Sequence, residues 1–78
     1  MPVHDRIESN PKIMLGKPVI KGSRITVELI LRKIAEGLDE RALLEAYPHL
    51  TADDIHAAVR YAADSLAHEE VVLAAAGH

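Results

Sequence analysis

The side chains able to do chemistry fall into a few groups. The first is the stretch "GKPVIKGSR", residues 16–24, where two glycines, two lysines and a serine invite a phosphate-cradle reading. A phosphate-binding loop needs a glycine, four residues and then Gly-Lys-Ser/Thr between a strand and a helix. Here five residues separate Gly16 from Gly22, Lys21 precedes the second glycine, and Pro18 lacks the amide that a cradle would use. The stretch is not a nucleotide loop. Gly22 instead supplies a positive φ for a turn. Arg24 either pairs with Glu28, one helical turn on, or stays free for an anion, and pairing is the expectation.

The five histidines form the second group. His49 and His56 are seven apart, His4, His68 and His78 stand alone, and no cysteine supplements them, so no metal set is built. The carboxylates Asp39, Asp53 and Asp54 fall at expected helix starts, where negative charge is stabilising without any catalytic role. No nucleophile, base and orienting acid share a spacing. The expectation is a non-enzymatic protein with no cofactor and no catalytic residue.

The third group is the cations. Residues 1–33 carry seven Lys/Arg against three acids, a net of +4, while residues 34–78 carry two against nine, a net of −7. A basic front and an acidic back imply two surfaces with different partners. Any nucleic-acid contact falls to Lys12, Lys17, Lys21 and Arg24, through phosphate rather than base edges.

Seventy-eight residues make one small domain, and a chain of this size buries only about 60% of its unfolded surface. With neither disulfides nor Phe or Trp, the core must be Leu, Ile, Val and Ala, and a homo-oligomer, at least a homodimer, is the cheapest source of further burial. The N-terminal residues carry no signal-peptide pattern and no apolar run is long enough to span a bilayer, so a cytoplasmic protein without membrane contact is expected.

The positioning elements follow from periodicity. Residues 1–25 read as a basic β or irregular front, with short strands and tight turns. Pro18 puts its strand at an edge or at its own first residue. From Thr26 the period becomes helical: Val27, Ile30, Leu31, Ile34 and Ala35 form one stripe, Thr26 caps it and Gly37 ends it. Asp39 caps a second helix with Leu43 and Leu44 inward, and Pro48 stops it at Tyr47. Thr51 caps a third, with Asp54 completing a short capping box and Ile55, Ala58, Val59, Ala62 and Leu66 as its stripe.

The helical bundle thus covers residues 26–67 and a helical tail residues 68–78. In that tail Val71, Val72 and Leu73 are adjacent. One face cannot bury three consecutive helical positions, so they are expected to meet another chain. The short helix, the "YPHL" turn and the longer helix have the order of a helix-turn-helix. The leading residues of the third helix would enter the major groove, but Asp53 and Asp54 there repel phosphate.

Taken together, "RIESNPKIMLGKPVIKGSRITVELIL" and "AEGLDERALLEAYPHLTADDIHAAVRYA" resemble the domain-of-unknown-function 433 family of small bacterial and archaeal proteins, from about Ile7 to Ala62. The resemblance rests on Pro11, Gly16 to Ile20, Gly22 to Ile25, Val27, Gly37 and the Tyr47 to Thr51 turn with Asp54 and Ile55. Two positions depart from the pattern: Ser23, where threonine is commoner, and Leu15, where a second glycine is usual, a change expected to alter the hairpin turn.

The resemblance implies a mainly α, homeodomain-like or winged-helix-like bundle of three to four helices, with a helix-turn-helix and a short N-terminal β-hairpin. It also implies an antitoxin-like role beside a toxin resembling a PIN-like nuclease, with no catalytic residues to carry over. The function expected is therefore an antitoxin-like binding module with DNA contact through the basic front. The alternative is a protein-interaction or assembly domain without nucleic-acid activity.

Overall fold

The computed structural model describes residues 4–67. In order these form β1 (Ile7–Glu8), β2 (Val19–Ile20), α1 (Val27–Ala35), α2 (Glu40–Ala46) and α3 (Ala52–Ala67). The architecture is mainly helical, three helices behind one short two-stranded antiparallel sheet. Val71, Val72 and Leu73 lie outside the described residues.

The front is smaller in strand and richer in turn than its pattern predicts. β1 and β2 pair in the register Ile7↔Ile20 and Glu8↔Val19. On its other side Val19 bridges Thr26, and the Ile20 amide donates to the Ile25 carbonyl at 2.9 Å. The stretch 16–24 is therefore not simply one arm of a hairpin. It is the centre of a three-segment patch, with Val19 at 0% and Ile20 at 4% exposure. β2 begins directly after Pro18, whose carbonyl accepts from the Val27 amide at 3.0 Å and ties the strand to the start of α1.

Gly22, at φ +81°, reverses the chain after β2. Ser23 locks that turn: its hydroxyl donates to the Ile20 carbonyl at 2.8 Å and accepts from the Ile25 amide at 3.1 Å. A threonine hydroxyl would do the same work, which explains why the departure at Ser23 is harmless. The departure at Leu15 is not. Met14, Leu15 and Gly16 have φ of 49°, 59° and 83°, a left-handed turn that leads into β2. L-residues are strained there, and Leu15 is 93% exposed.

The helices start and stop where their local chemistry dictates. The Thr26 hydroxyl accepts from the Leu29 amide at 2.9 Å, and Asp39 accepts from the Ala42 amide at 2.9 Å. At the end of α1, Gly37 has φ +103°; its amide donates to the Ile34 carbonyl and the Leu38 amide to the Lys33 carbonyl, both at 3.0 Å. That paired arrangement is a Schellman cap, which requires the left-handed glycine.

The core joins Ile20, Val27, Ile30, Leu43, Leu50, Ile55 and Ala58, one contribution or more from every element except β1, whose Ile7 packs on its edge. The helical stripes are buried only in part. Ile34 is 39%, Val59 43% and Leu66 61% exposed, whereas Tyr61, outside the expected stripe, packs against the core. The cause is length. α1 has nine residues and α3 sixteen, so at 1.5 Å per residue α3 outruns its partner by roughly 10 Å.

Leu15→Gly removes an exposed side chain and the left-handed strain together. After allowance for the greater freedom of unfolded glycine, a net gain of about 0.5–1 kcal/mol is expected in urea or thermal melts. Gly37→Ala, with open space around it but the wrong φ, should cost about 1 kcal/mol.

Candidate functional site

Three charged constellations and one groove carry the potential for function. The basic front is built on turns. Lys21 and Arg24 flank the Gly22 turn, and Lys12 follows Asn10, whose side-chain oxygen accepts from the Lys12 amide at 2.9 Å. All three are exposed and make no ion pair among the described residues. Lys17 does not join them. Its ammonium reaches Glu28 at 3.1 Å, and Arg32 takes the other oxygen of Glu28 at 2.9 Å. The expected Arg24–Glu28 pair is therefore replaced: Lys17 sits where the chain enters β2 beside α1, and Arg32 lies one turn along the same helix. The Lys17 ammonium, with Arg32, holds the Glu28 carboxyl below its ordinary value of 4.5.

The second constellation centres on Asp54, which is 7% exposed. One carboxylate oxygen accepts from the Thr51 amide at 3.1 Å, while the Asp54 amide donates to the Thr51 hydroxyl at 3.1 Å. This is the reciprocal capping box that the Thr51…Asp54 spacing predicts. The other oxygen accepts from the Arg6 guanidinium at 3.0 Å, and Arg6 also approaches Asp53 at 3.5 Å. Nothing local in the sequence marks Arg6, which lies 48 positions from its partner. Its pairing revises the repulsion argument for α3, since Asp54 is internal and half-neutralised and only Asp53 faces solvent.

The histidines serve as struts. His4 Nε2 lies 3.0 Å from Asp64 and the imidazole meets the Tyr61 ring edge-on at 5.1 Å, so the N-terminal segment is fastened to α3. His56 Nε2 lies 3.0 Å from Glu40 and links α3 to α2. No group of three or more His, Cys, Asp or Glu among the described residues is arranged to hold a metal ion. A polar recess of about 250 Å³ between these struts is lined by His4, Asp5, Arg6, Asp53, His56 and Arg60, acids and bases in balance.

On another face, α1 and the overhanging end of α3 wall an apolar groove of about 590 Å³. Its floor and sides are Val27, Leu31, Ala35, Tyr61, Ala62 and Leu66, and the Lys17–Glu28–Arg32 trio stands at its rim. Sequence periodicity had assigned Leu31, Ala35, Ala62 and Leu66 to the core; the length mismatch of α1 and α3 puts them here. No described helix is long and apolar enough to cross a membrane.

A β-led three-helix domain with charged turns and an open groove defines a class of small helical domain rather than a reaction. The family model described as "Protein of unknown function (DUF433)" matches residues 7–62, and the chain belongs to that family. It is 38% identical over 56 residues to an uncharacterized protein of Sinorhizobium fredii, an alignment covering 72% of this chain and 25% of that relative. The chain thus spans about a quarter of the curated relative's length. It is also similar to the crystal structure of a DUF433 member protein from Anabaena variabilis, at TM-score 0.76 and 28% identity, covering 90% of this chain and 69% of that one.

Asp54→Ala strips α3 of its cap partner and Arg6 of its buried acceptor, and should cost about 2 kcal/mol in denaturant unfolding. Arg6→Gln should cost about 1 kcal/mol or less, because the guanidinium is half exposed and Asp54 keeps its Thr51 bond. Equal costs would show that the cap contributes nothing beyond the ion pair. For Glu28 the sign is that of a depressed carboxyl: its stabilising contribution is present above the unfolded value and disappears as pH falls through the lower folded value. An NMR titration should place its midpoint below 4.5, with Lys17→Gln and Arg32→Gln each moving it upward.

Proposed function

We propose that this chain is a non-enzymatic binding module, the antitoxin-like member of a toxin–antitoxin pair, acting in the cytoplasm as a homodimer. It contacts DNA through its basic front, and its protein partner is a PIN-like nuclease. The carrying observation is the set of exposed cations Lys12, Lys21 and Arg24, unpaired among the described residues, on a front of net charge +4. Lys17, engaged by Glu28, contributes less.

In this reading α2, the turn at residues 47–51 and α3 form a homeodomain-like or winged-helix-like helix-turn-helix, used as scaffold rather than as the reading head. The exposed Asp53 on the first turn of α3 argues against insertion of that end beside phosphate. A non-enzymatic role is supported by the occupation of the hydroxyls and carboxylates with chemical potential: Thr26, Asp39, Thr51 and Asp54 all hold helix ends. One observation favours the second reading, a protein-interaction domain without nucleic-acid activity, and that is the open apolar groove of α1 and α3.

The test is titration of a random-sequence DNA duplex across a salt series. Binding should be weak and salt-sensitive, and neutralising Lys12, Lys21 and Arg24 together to Gln should reduce the slope of log K against log salt by roughly 0.9 per lost phosphate contact. Lys17→Gln should change it little. A triple variant that binds like the wild type, with Arg60→Ala abolishing binding, would move the contact to α3. No binding by the wild type at low salt would leave the interaction-domain reading.

A further inference from the structure

The groove between α1 and α3 has a chemistry that names its occupant. Its walls are aliphatic apart from the Tyr61 ring, and its rim carries two cations, Lys17 and Arg32, on the single carboxylate of Glu28. One positive charge at the rim is therefore uncompensated by that carboxylate. A matching ligand is an apolar segment led by an acid. The chain contains such a segment: Glu69 and Glu70 directly precede Val71, Val72 and Leu73.

We propose that residues 69–73 of this same chain seat in the α1–α3 groove, with Glu69 or Glu70 at the Lys17–Arg32 rim and the Val71–Leu73 side chains against Leu31, Ala62 and Leu66. Position and reach favour the chain's own segment. Ser65 and Leu66 line the groove, so the described chain arrives at its edge at Ala67. Val71 follows four residues later, within roughly 13 Å of extended chain, and three intervening residues are enough for a reversal. A tether this short makes the effective concentration of the segment millimolar, far above that of a second copy at ordinary dilution.

The groove also meets the geometric objection raised by three adjacent apolar residues. A single flat face cannot take them, but a groove walled by two helices accepts side chains from more than one direction. The segment would cover the apolar surface that α3 exposes where it outruns α1, Leu66 at 61% exposure above all. The proposal is independent of the nucleic-acid reading, because none of Lys12, Lys21 and Arg24 lines the groove.

The absence of cysteine makes the test clean. A nitroxide placed at Ala75→Cys in the full chain should broaden the amide signals of Leu31, Ala35, Ala62 and Tyr61, and leave Lys12 and Arg41 sharp. A mixture of isotope-labelled chain without nitroxide and unlabelled chain with it should show no such loss, since it reports only contacts between copies. The double substitution Val72→Asp and Leu73→Asp should restore the lost signals while the remaining spectrum stays dispersed, and Glu69→Lys with Glu70→Lys should restore them in part. The proposal is overturned if the groove signals stay sharp in the labelled chain. It is also overturned if broadening appears equally in the mixture, which would make a second copy the occupant, or if it survives the double aspartate substitution.

Discussion

A buried carboxylate must be fully occupied or it unfolds its surroundings, and in this domain Asp54 meets that demand from two directions. Thr51 supplies a backbone donor from within the helix start, and Arg6 supplies a charged one from the N-terminal segment. The first bond fixes where α3 begins. The second fixes the front against α3, two residues from the Lys21 amide's bond to the Arg6 carbonyl at 2.7 Å on the sheet. Strands of two residues cannot hold a sheet on their own account. They persist here because one edge is pinned through Arg6 and the other is continued into α1 by the Val27–Pro18 bond. Burial of Val19 and Ile20 under the helices follows from those two anchors.

That arrangement separates the molecule's charges by task. Arg6 and Lys17 look, in a count of the basic front, like members of a common patch. In the fold each is drawn to a carboxylate on a helix, Asp54 and Glu28, and each ties the front to the bundle. What is left facing solvent without a partner among the described residues is a smaller set on turns, where backbone geometry rather than side-chain pairing fixes the position. The same division shapes the groove, whose rim trio is a structural tie on one side and a charged margin on the other.

Local signals were the legible ones. Thr26, Asp39, the Thr51…Asp54 box and Gly37 act within four residues of their own positions, so each cap could be read directly from spacing, and the family assignment followed from the same turns. Long-range choices could not be read in this way. Nothing near Arg6 points to Asp54, and Glu28 had three cations within reach by sequence or fold, of which topology selected Lys17 and Arg32 over Arg24. Exposure at Ile34, Val59 and Leu66 was hidden for a different reason. Periodicity reports the direction a side chain takes from its helix, while burial depends also on the length of the neighbour, and α1 is too short to cover α3. The groove was therefore invisible in the sequence, though every residue lining it had been noted as apolar or charged.

The account makes the front and the bundle one cooperative unit joined at Asp54. Native-state hydrogen exchange measures this directly, because amides that open only in global unfolding share one free energy. The Ile20 and Lys21 amides of the sheet and the Ile55 and Ala58 amides of α3 are predicted to exchange with the same free energy, equal to that of global unfolding, and to fall together when Asp54 is replaced. Exchange of Ile20 and Lys21 through a separate, lower-energy opening that leaves α3 protected would contradict it.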